Sequence, residues 1–423
     1  MALSFFHFLL LGWLSWQAYR RFINSPVRLY YFPALGLKLF AGIASGLLYY
    51  LYYGGGDTIN YHHDASELAS LALNDLSAYI KVMAGGEAEQ LSLIYSQEVR
   101  ALLAAKIFSV FYLFTGSNYW VTACYVSFLS FLCLCLLVHR LVKGRPEMRK
   151  PAAIAFLVWP SFVFWTSGLL KESLAMVCIA FIVAAVLPYL QEGKKIPRLE
   201  AGVSVLLFIL LWKLKYYYAA LLGPVLVCLL VVLWMGRNFA MKQVWMWCTF
   251  ILFLAGGILL ATQLHPNLYL SRFLAVWVEN YYLIVAASSD GGYVVYDQLE
   301  AGWGSVLQNA PEAIAAGLYA PLISADFTNP VKLIAIAENL LLLILSLIGI
   351  TGWILEKKGN LSLPAFAVII YVVAFALVIG IAAPNYGTLS RYRISYQPFF
   401  VLLILTGCQY FIRWLQGERG ETS

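Results

Sequence analysis

Four short stretches place charged side chains beside glycine or proline within an otherwise apolar chain. In "GGGDTINYHHDA" (54–65), Asp57 follows three glycines and precedes Tyr61, His62, His63 and Asp64. A carboxylate placed there can act as general base toward a hydroxyl. Asp57, His62 and His63 are also metal-ligand types, so a divalent metal is one reading, although their spacing matches no specific ligand pattern. In "WPSFVFWTSGLLKES" (159–173), Pro160 breaks a helix, Ser167-Gly168 turns it, and Lys171 and Glu172 open the next. In "LWKLKYYYAALLGP" (211–224), Lys213 and Lys215 precede three tyrosines. In "APNYGTLSRYRISYQP" (383–398), Arg391 and Arg393 follow a Pro-Asn-Gly turn. Guanidinium groups match phosphate geometry with forked donors, and lysine holds phosphate as a point charge. The set is two acids (Asp57 and Glu172), five cations (Lys171, Lys213, Lys215, Arg391, Arg393), and Tyr61 and His62 beside the first acid. It suits transfer of a group from a phosphate-linked donor, with cations holding the departing phosphate and a carboxylate receiving the acceptor's proton. Each stretch also has a bland reading: a turn at a membrane edge, a helix cap with a snorkelling lysine, an interfacial Tyr/Lys belt, or headgroup anchoring.

The elements that must position these residues are membrane spans. Of the 423 residues, 62% are hydrophobic and 12% charged, and the mean hydropathy is +0.78. A soluble domain carries about 25% charged residues. An all-α polytopic membrane protein is therefore expected. Eleven spans are predicted at 3–18, 32–53, 118–138, 152–167, 173–190, 200–214, 217–235, 244–264, 331–355, 362–383 and 394–412. The runs are too long, and lack the alternation, for barrel strands. The segment Leu3–Trp16 has no basic start or small-residue cleavage site and reads as a retained helix.

Basic residues sort by side. Seventeen of the 28 Lys and Arg, including Arg140, Lys194, Lys357, Lys358 and Arg419, follow alternate spans. Their side is assigned as cytoplasmic, which puts the C-terminus inside and every stretch above outside. Two long segments then face outward: 54–117, with surface helices, and 265–330, which reads as a lid. The run from Ala69 to Met83 should form one amphipathic helix, with Ala69, Ala72, Leu73, Leu76, Tyr79, Ile80 and Met83 on its apolar face. Val99–Phe114 is a second interfacial piece. Residues 1–423 read as one integral membrane domain, with its costly charges gathered at one end. The net charge of +7 reports orientation and gives no argument for nucleic acid. The seven cysteines lie in apolar runs without a CxxC, so disulfides and structural zinc are not expected. No phosphate-binding glycine motif or internal repeat is visible.

With Asp57 after an early span, surface helices behind it and cations in later outer turns, the sequence resembles the GT-C superfamily of polytopic membrane glycosyltransferases. The resemblance covers the architecture of most of the chain and rests on few residues. It implies a polyprenyl-phosphate-linked sugar donor in contact with membrane lipids, and a glycan, lipid or protein acceptor. It also implies an outward-facing site in a bacterial plasma membrane, Asp57 as base, and Arg391 and Arg393, then Lys171 and Lys215, at the donor phosphate. Asp57 is a lone acid where many relatives carry a pair, and it follows the second span. A large soluble C-terminal domain of the kind some relatives carry is not expected from residues 1–423. An O-antigen or exopolysaccharide polymerase or ligase fits the arginines equally. A transporter or flippase of lipid-linked sugars would instead need charges near the midplane and broken helices.

Overall fold

Apolar runs without strand-like alternation give a chain built from helices. The computed structural model describes residues 2–86, 91–269, 271–288, 292–323, 329–355 and 361–416; among these, the only β-pairing is an isolated bridge between Tyr293 and Asn385. Lys357, Lys358 and Arg419 of the charge pattern lie outside the described residues. The helices are α1 (Ala2–Phe22), α2 (Tyr31–Leu47), α3 (Asp57–Asn74), α4 (Leu76–Met83), α5 (Val99–Thr115) and α6 (Tyr119–Leu141). There follow α7 (Arg149–Ala153), α8 (Pro160–Trp165), α9 (Lys171–Glu192), α10 (Arg198–Phe239), α11 (Gln243–Ala261) and α12 (Phe273–Ala286). The last are α13 (Trp303–Tyr319), α14 (Pro330–Leu355), α15 (Leu363–Ala382), α16 (Tyr386–Tyr392) and α17 (Gln397–Leu415).

Among the described residues, eight helices are long and apolar enough to cross a membrane: α2 with its π-helical extension Leu48–Tyr53, α6, α9, α10, α11, α14, α15 and α17. The chain is a polytopic helical membrane protein. The predicted count of eleven differs for three physical reasons. Segment 3–18 lies in α1, where polar residues such as His7, Ser15 and Gln17 dilute the apolar run. Segment 152–167 is interrupted: a π turn covers Ile154–Val158, and Trp159 leaves helical geometry (ψ 121°) because the following Pro160 disfavours the helical conformation before it. Segments 200–214 and 217–235 join into α10, whose 42 residues would span about 63 Å if straight, twice the ~30 Å hydrocarbon core. Lys215 breaks it with extended backbone angles (φ −148°, ψ 77°), leaving two lengths that each suit a bilayer.

The chain divides into two compact units, Met1–Pro188 with Lys195–Tyr216, and Tyr189–Lys194 with Tyr217–Ser423. In the first unit α2 packs on α6 and α8 through glycines. A Cβ on Gly42 would lie 2.4 Å from Ser127 Oγ, and one on Gly46 would lie 2.6 Å from the Tyr119 ring. Ser127 Oγ also accepts the Gly168 N–H at 2.8 Å, fixing the turn after α8 against α6. Segment 54–117 folds into α3, α4 and α5, which share a core of Tyr61, Leu68, Tyr79, Phe108, Tyr112 and Tyr119. The predicted single helix over 69–83 is broken at Asp75, whose carboxylate caps the Ala78 N–H at 2.9 Å. The break resets the helical phase. Ala69, Tyr79 and Val82 are buried while Leu73, Leu76 and Ile80 are exposed, so the expected apolar stripe is split.

In the second unit α14 packs along α17, and α12 and α13 pack on α15. Segment 265–330, read from sequence as a lid, contains α12 and α13. Gly317 closes on Ala376, and Gly380 on Ala313, with room for no Cβ at either glycine.

Candidate functional site

Three glycines let the chain turn out of the π-helical end of α2. Gly54 (φ 65°) and Gly56 (φ 115°) adopt left-handed or related angles, and a Cβ on Gly56 would lie 2.9 Å from the Tyr49 ring. The turn delivers Asp57 to the first turn of α3, where the helix dipole favours a carboxylate. The stretch 57–65, for which a turn at a membrane edge is the bland reading, is helical, with Asp57, Asn60, Tyr61 and Asp64 on one face.

That face meets the turn before α5. Tyr95 donates its hydroxyl to Asp57 Oδ1 at 3.0 Å, and Asn60 Nδ2 donates to the Tyr95 oxygen at 3.3 Å. Tyr61 stacks obliquely on Tyr95, with ring centroids 5.2 Å apart. Asp64 is fully buried, and its two oxygens accept the backbone N–H groups of Ile94 (2.8 Å) and Tyr95 (2.9 Å). Burial, then the Asp57 charge, holds the Tyr95 phenol above its ordinary range, so it stays a donor.

Lys171, at the start of α9, stands over the Tyr61 ring at 5.7 Å. Its neighbour Glu172 is fully enclosed and pairs with Lys215 at 2.7 Å. Adjacent helical residues point about 100° apart, which sends these two side chains to different partners. At Lys215 the break in α10 turns the ammonium inward, and next to it Tyr216 lies under the Arg100 guanidinium at 5.5 Å. Asp57, Lys171, Glu172 and Lys215 thus occupy one end of the first unit, at the starts of α3 and α9 and at the break in α10.

Other predicted residues fall elsewhere. Tyr61, expected at substrate, is fully buried and acts as the floor under Lys171. His62 points away from Tyr95, with Nδ1 2.6 Å from the Tyr112 hydroxyl; burial and then His63 lower its pKa, which keeps it neutral near pH 7. His63 contacts Asp64 instead, so the three metal-ligand types diverge around the helix. Among the described residues no three His, Cys, Asp or Glu side chains converge. Lys213 is exposed, two residues before the break that buries Lys215.

In the second unit the two arginines separate. Arg391, in the last turn of α16, is half-buried with its guanidinium 5.6 Å from the Tyr392 ring. Arg393, expected at a phosphate, is 2% exposed and caps the C-terminus of α13. Its Nε donates to Gly317 O (2.7 Å), Nη2 to Ala316 O (2.6 Å) and to Ala320 O, and Nη1 to Asn339 Oδ1 (3.1 Å). A cation suits the partial negative charge of a helix C-terminus. These contacts occupy the fork and correct its reading as a phosphate ligand.

Sequence reading missed Tyr95, the structural role of Asp64, and Lys38. The i, i+3, i+4, i+7 spacing of Asp57, Asn60, Tyr61 and Asp64 signals one polar helix face; nothing local marks Tyr95. Lys38 is 2% exposed within α2, hydrogen-bonded to Thr166 Oγ1 and 5.9 Å from the Phe162 ring. It lies about two helical turns from Gly46, so the charges do not all gather at one end. No family model, curated protein or solved structure matches the chain.

Proposed function

We propose that the chain is a membrane glycosyltransferase of GT-C type, moving a sugar from a polyprenyl-phosphate-linked donor to an acceptor hydroxyl at the outer membrane face. The reading is carried by the constellation in the first unit: Asp57, partly exposed and aimed by a tyrosine at a helix start, shares one end of the unit with Lys171 and the Glu172–Lys215 pair. Asp57 receives the proton of the acceptor hydroxyl as it attacks the sugar's anomeric carbon. The sugar–phosphate bond breaks, and the phosphate leaves with the bonding pair and its negative charge. Lys171, half-buried beside Tyr61, is placed to offset that charge. Glu172 is enclosed and ion-paired, which supports a role in setting Lys215 and not in proton transfer. By the same reading Arg391, half-buried beside the Tyr392 ring in the second unit, meets a lipid phosphate through its guanidinium.

The test is transfer by purified protein in liposomes, using a panel of undecaprenyl-phosphate-linked hexoses and pentoses with a labelled sugar. Asp57→Asn should cut turnover by about 100-fold or more, the usual scale for a lost general base, with the protein still folded. Near-normal turnover in that variant removes the assignment.

A second reading, a transporter of lipid-linked sugars, is favoured by Lys38 within α2 and by the interruption at Trp159. The same liposomes separate the two: movement of the lipid-linked sugar across the bilayer without any transfer supports transport.

A further inference from the structure

We infer that Tyr95 is a positioning residue for Asp57, oriented by Asn60 and anchored through its backbone by Asp64; this rests on Asp57 being the base. The phenol is 6% exposed, and its oxygen stands between two side chains of one helix face. Asn60 donates to that oxygen at 3.3 Å, which directs the phenolic hydrogen toward Asp57 at 3.0 Å. Chains of this kind strengthen the terminal hydrogen bond.

The tyrosine is itself fixed. Asp64 receives two successive backbone N–H groups, Ile94 on one oxygen and Tyr95 on the other, at 2.8 and 2.9 Å. A carboxylate that grips two adjacent amides holds the position of the Tyr95 backbone in a turn that has no helix to support it. Tyr61 closes the remaining side with its ring. The helical spacing places the gripping acid (64) and the gripped acid (57) two turns apart on the same face, so one rigid helix carries both ends of the device.

A carboxylate at a helix start can rotate about its side-chain bonds, and a base misplaced by about 1 Å can lose 100-fold in rate. Tyr95 holds Asp57 Oδ1, fixes the plane of the group, and so sets the direction from which the acceptor hydroxyl is met. The role differs from catalysis, since Tyr95 acts through Asp57.

Two measurements test it. First, a fluorinated tyrosine is placed at position 95, and its fluorine resonance is titrated in the Asp57 protein and in Asp57→Asn. The Asp57 protein should titrate higher by about one pH unit, because the neighbouring negative charge opposes phenolate formation. Identical titrations would overturn the inference without any assay of activity. Second, Tyr95→Phe should lower kcat by about tenfold or more with the donor KM within about twofold, as expected when alignment and not binding is lost. Asn60→Ala should lower kcat in the same sense by less, and serves if the Phe variant folds poorly. Wild-type kcat in both variants, beside an inactive Asp57→Asn, sinks the positioning role and leaves the base reading standing. Full activity in Asp57→Asn removes the base, and the positioning role with it, even where the fluorine coupling persists.

Discussion

Glu172 and Lys215 form a buried ion pair whose value lies in both members being present. Removing one partner leaves an unpaired charge away from water, at a cost of about 3–5 kcal/mol, whereas replacing both with apolar residues of similar size is often neutral. Glu172→Gln should therefore lower thermal stability in detergent markedly, and Glu172→Leu with Lys215→Met should recover most of it. Equal instability of the single and double variants would argue against the pair as the cause. Arg391 and Arg393 look equivalent in the sequence, two positions apart in "SRYR". They differ because a two-residue step turns a helix by about 200°, which sends one guanidinium beside Tyr392 and the other under α13. Arg393→Ala should destabilise the second unit by about 2–3 kcal/mol, because Ala320 O and Asn339 Oδ1 lose the guanidinium, while Ala316 O keeps the Ala320 N–H and Gly317 O keeps the Tyr396 hydroxyl; Arg391→Ala should cost far less, both read by thermal unfolding. Residue types in the sequence showed which side chains were costly; their partners were not visible, because pairing such as Glu172 with Lys215 depends on helices distant in the chain.

At the scale of helices, close packing replaces the missing drive of water exclusion between spans. A Cβ on Gly352 would lie 1.9 Å from Gly407 O, and one on Gly349 would lie 2.5 Å from Ile404 O. Gly352→Ala should therefore separate α14 from α17 and cost about 1–3 kcal/mol, despite alanine's better helix propensity. Gly202→Ala, with nothing within 4 Å of its new methyl, is the control and should be neutral or slightly stabilising. Thermal unfolding in detergent compares them; equal midpoints would mean the two helices readily move apart. Hydropathy located the spans because their length and composition are local properties. It did not locate the break at Asp75 or the interruption before Trp159 as such. Pro160 announces the second, while the first depends on a capping carboxylate that competes with helix continuation.

For the molecule as a whole, the helical membrane architecture was legible from composition, and the grouping into two units was not, since it follows from which spans touch. The sidedness inferred from basic residues makes a definite expectation. Single cysteines at 57, 171 and 391 in a cysteine-free background should all react with an impermeant thiol reagent applied outside intact cells; the seven native thiols, one of them exposed at Cys248, must first be replaced. Labelling at 57 only after the membrane is opened would reverse the assigned orientation. Lys38 shows what charge counting overlooks: a single lysine inside an apolar run leaves the window hydrophobic, yet its buried nitrogen must still be housed, here by Thr166.

The π-helical extension Leu48–Tyr53 amounts to one surplus residue in the helical winding before the Asp57 turn. An α-helix advances about 100° per residue, so that surplus sets the compass bearing on which the chain leaves α2. The length of the stretch matters because a one-residue deletion would swing the exit by about 100° and take Gly56 off the Tyr49 ring it closes against. The segment therefore works as a crank whose throw is counted in whole residues, and Asp57 is the part it turns.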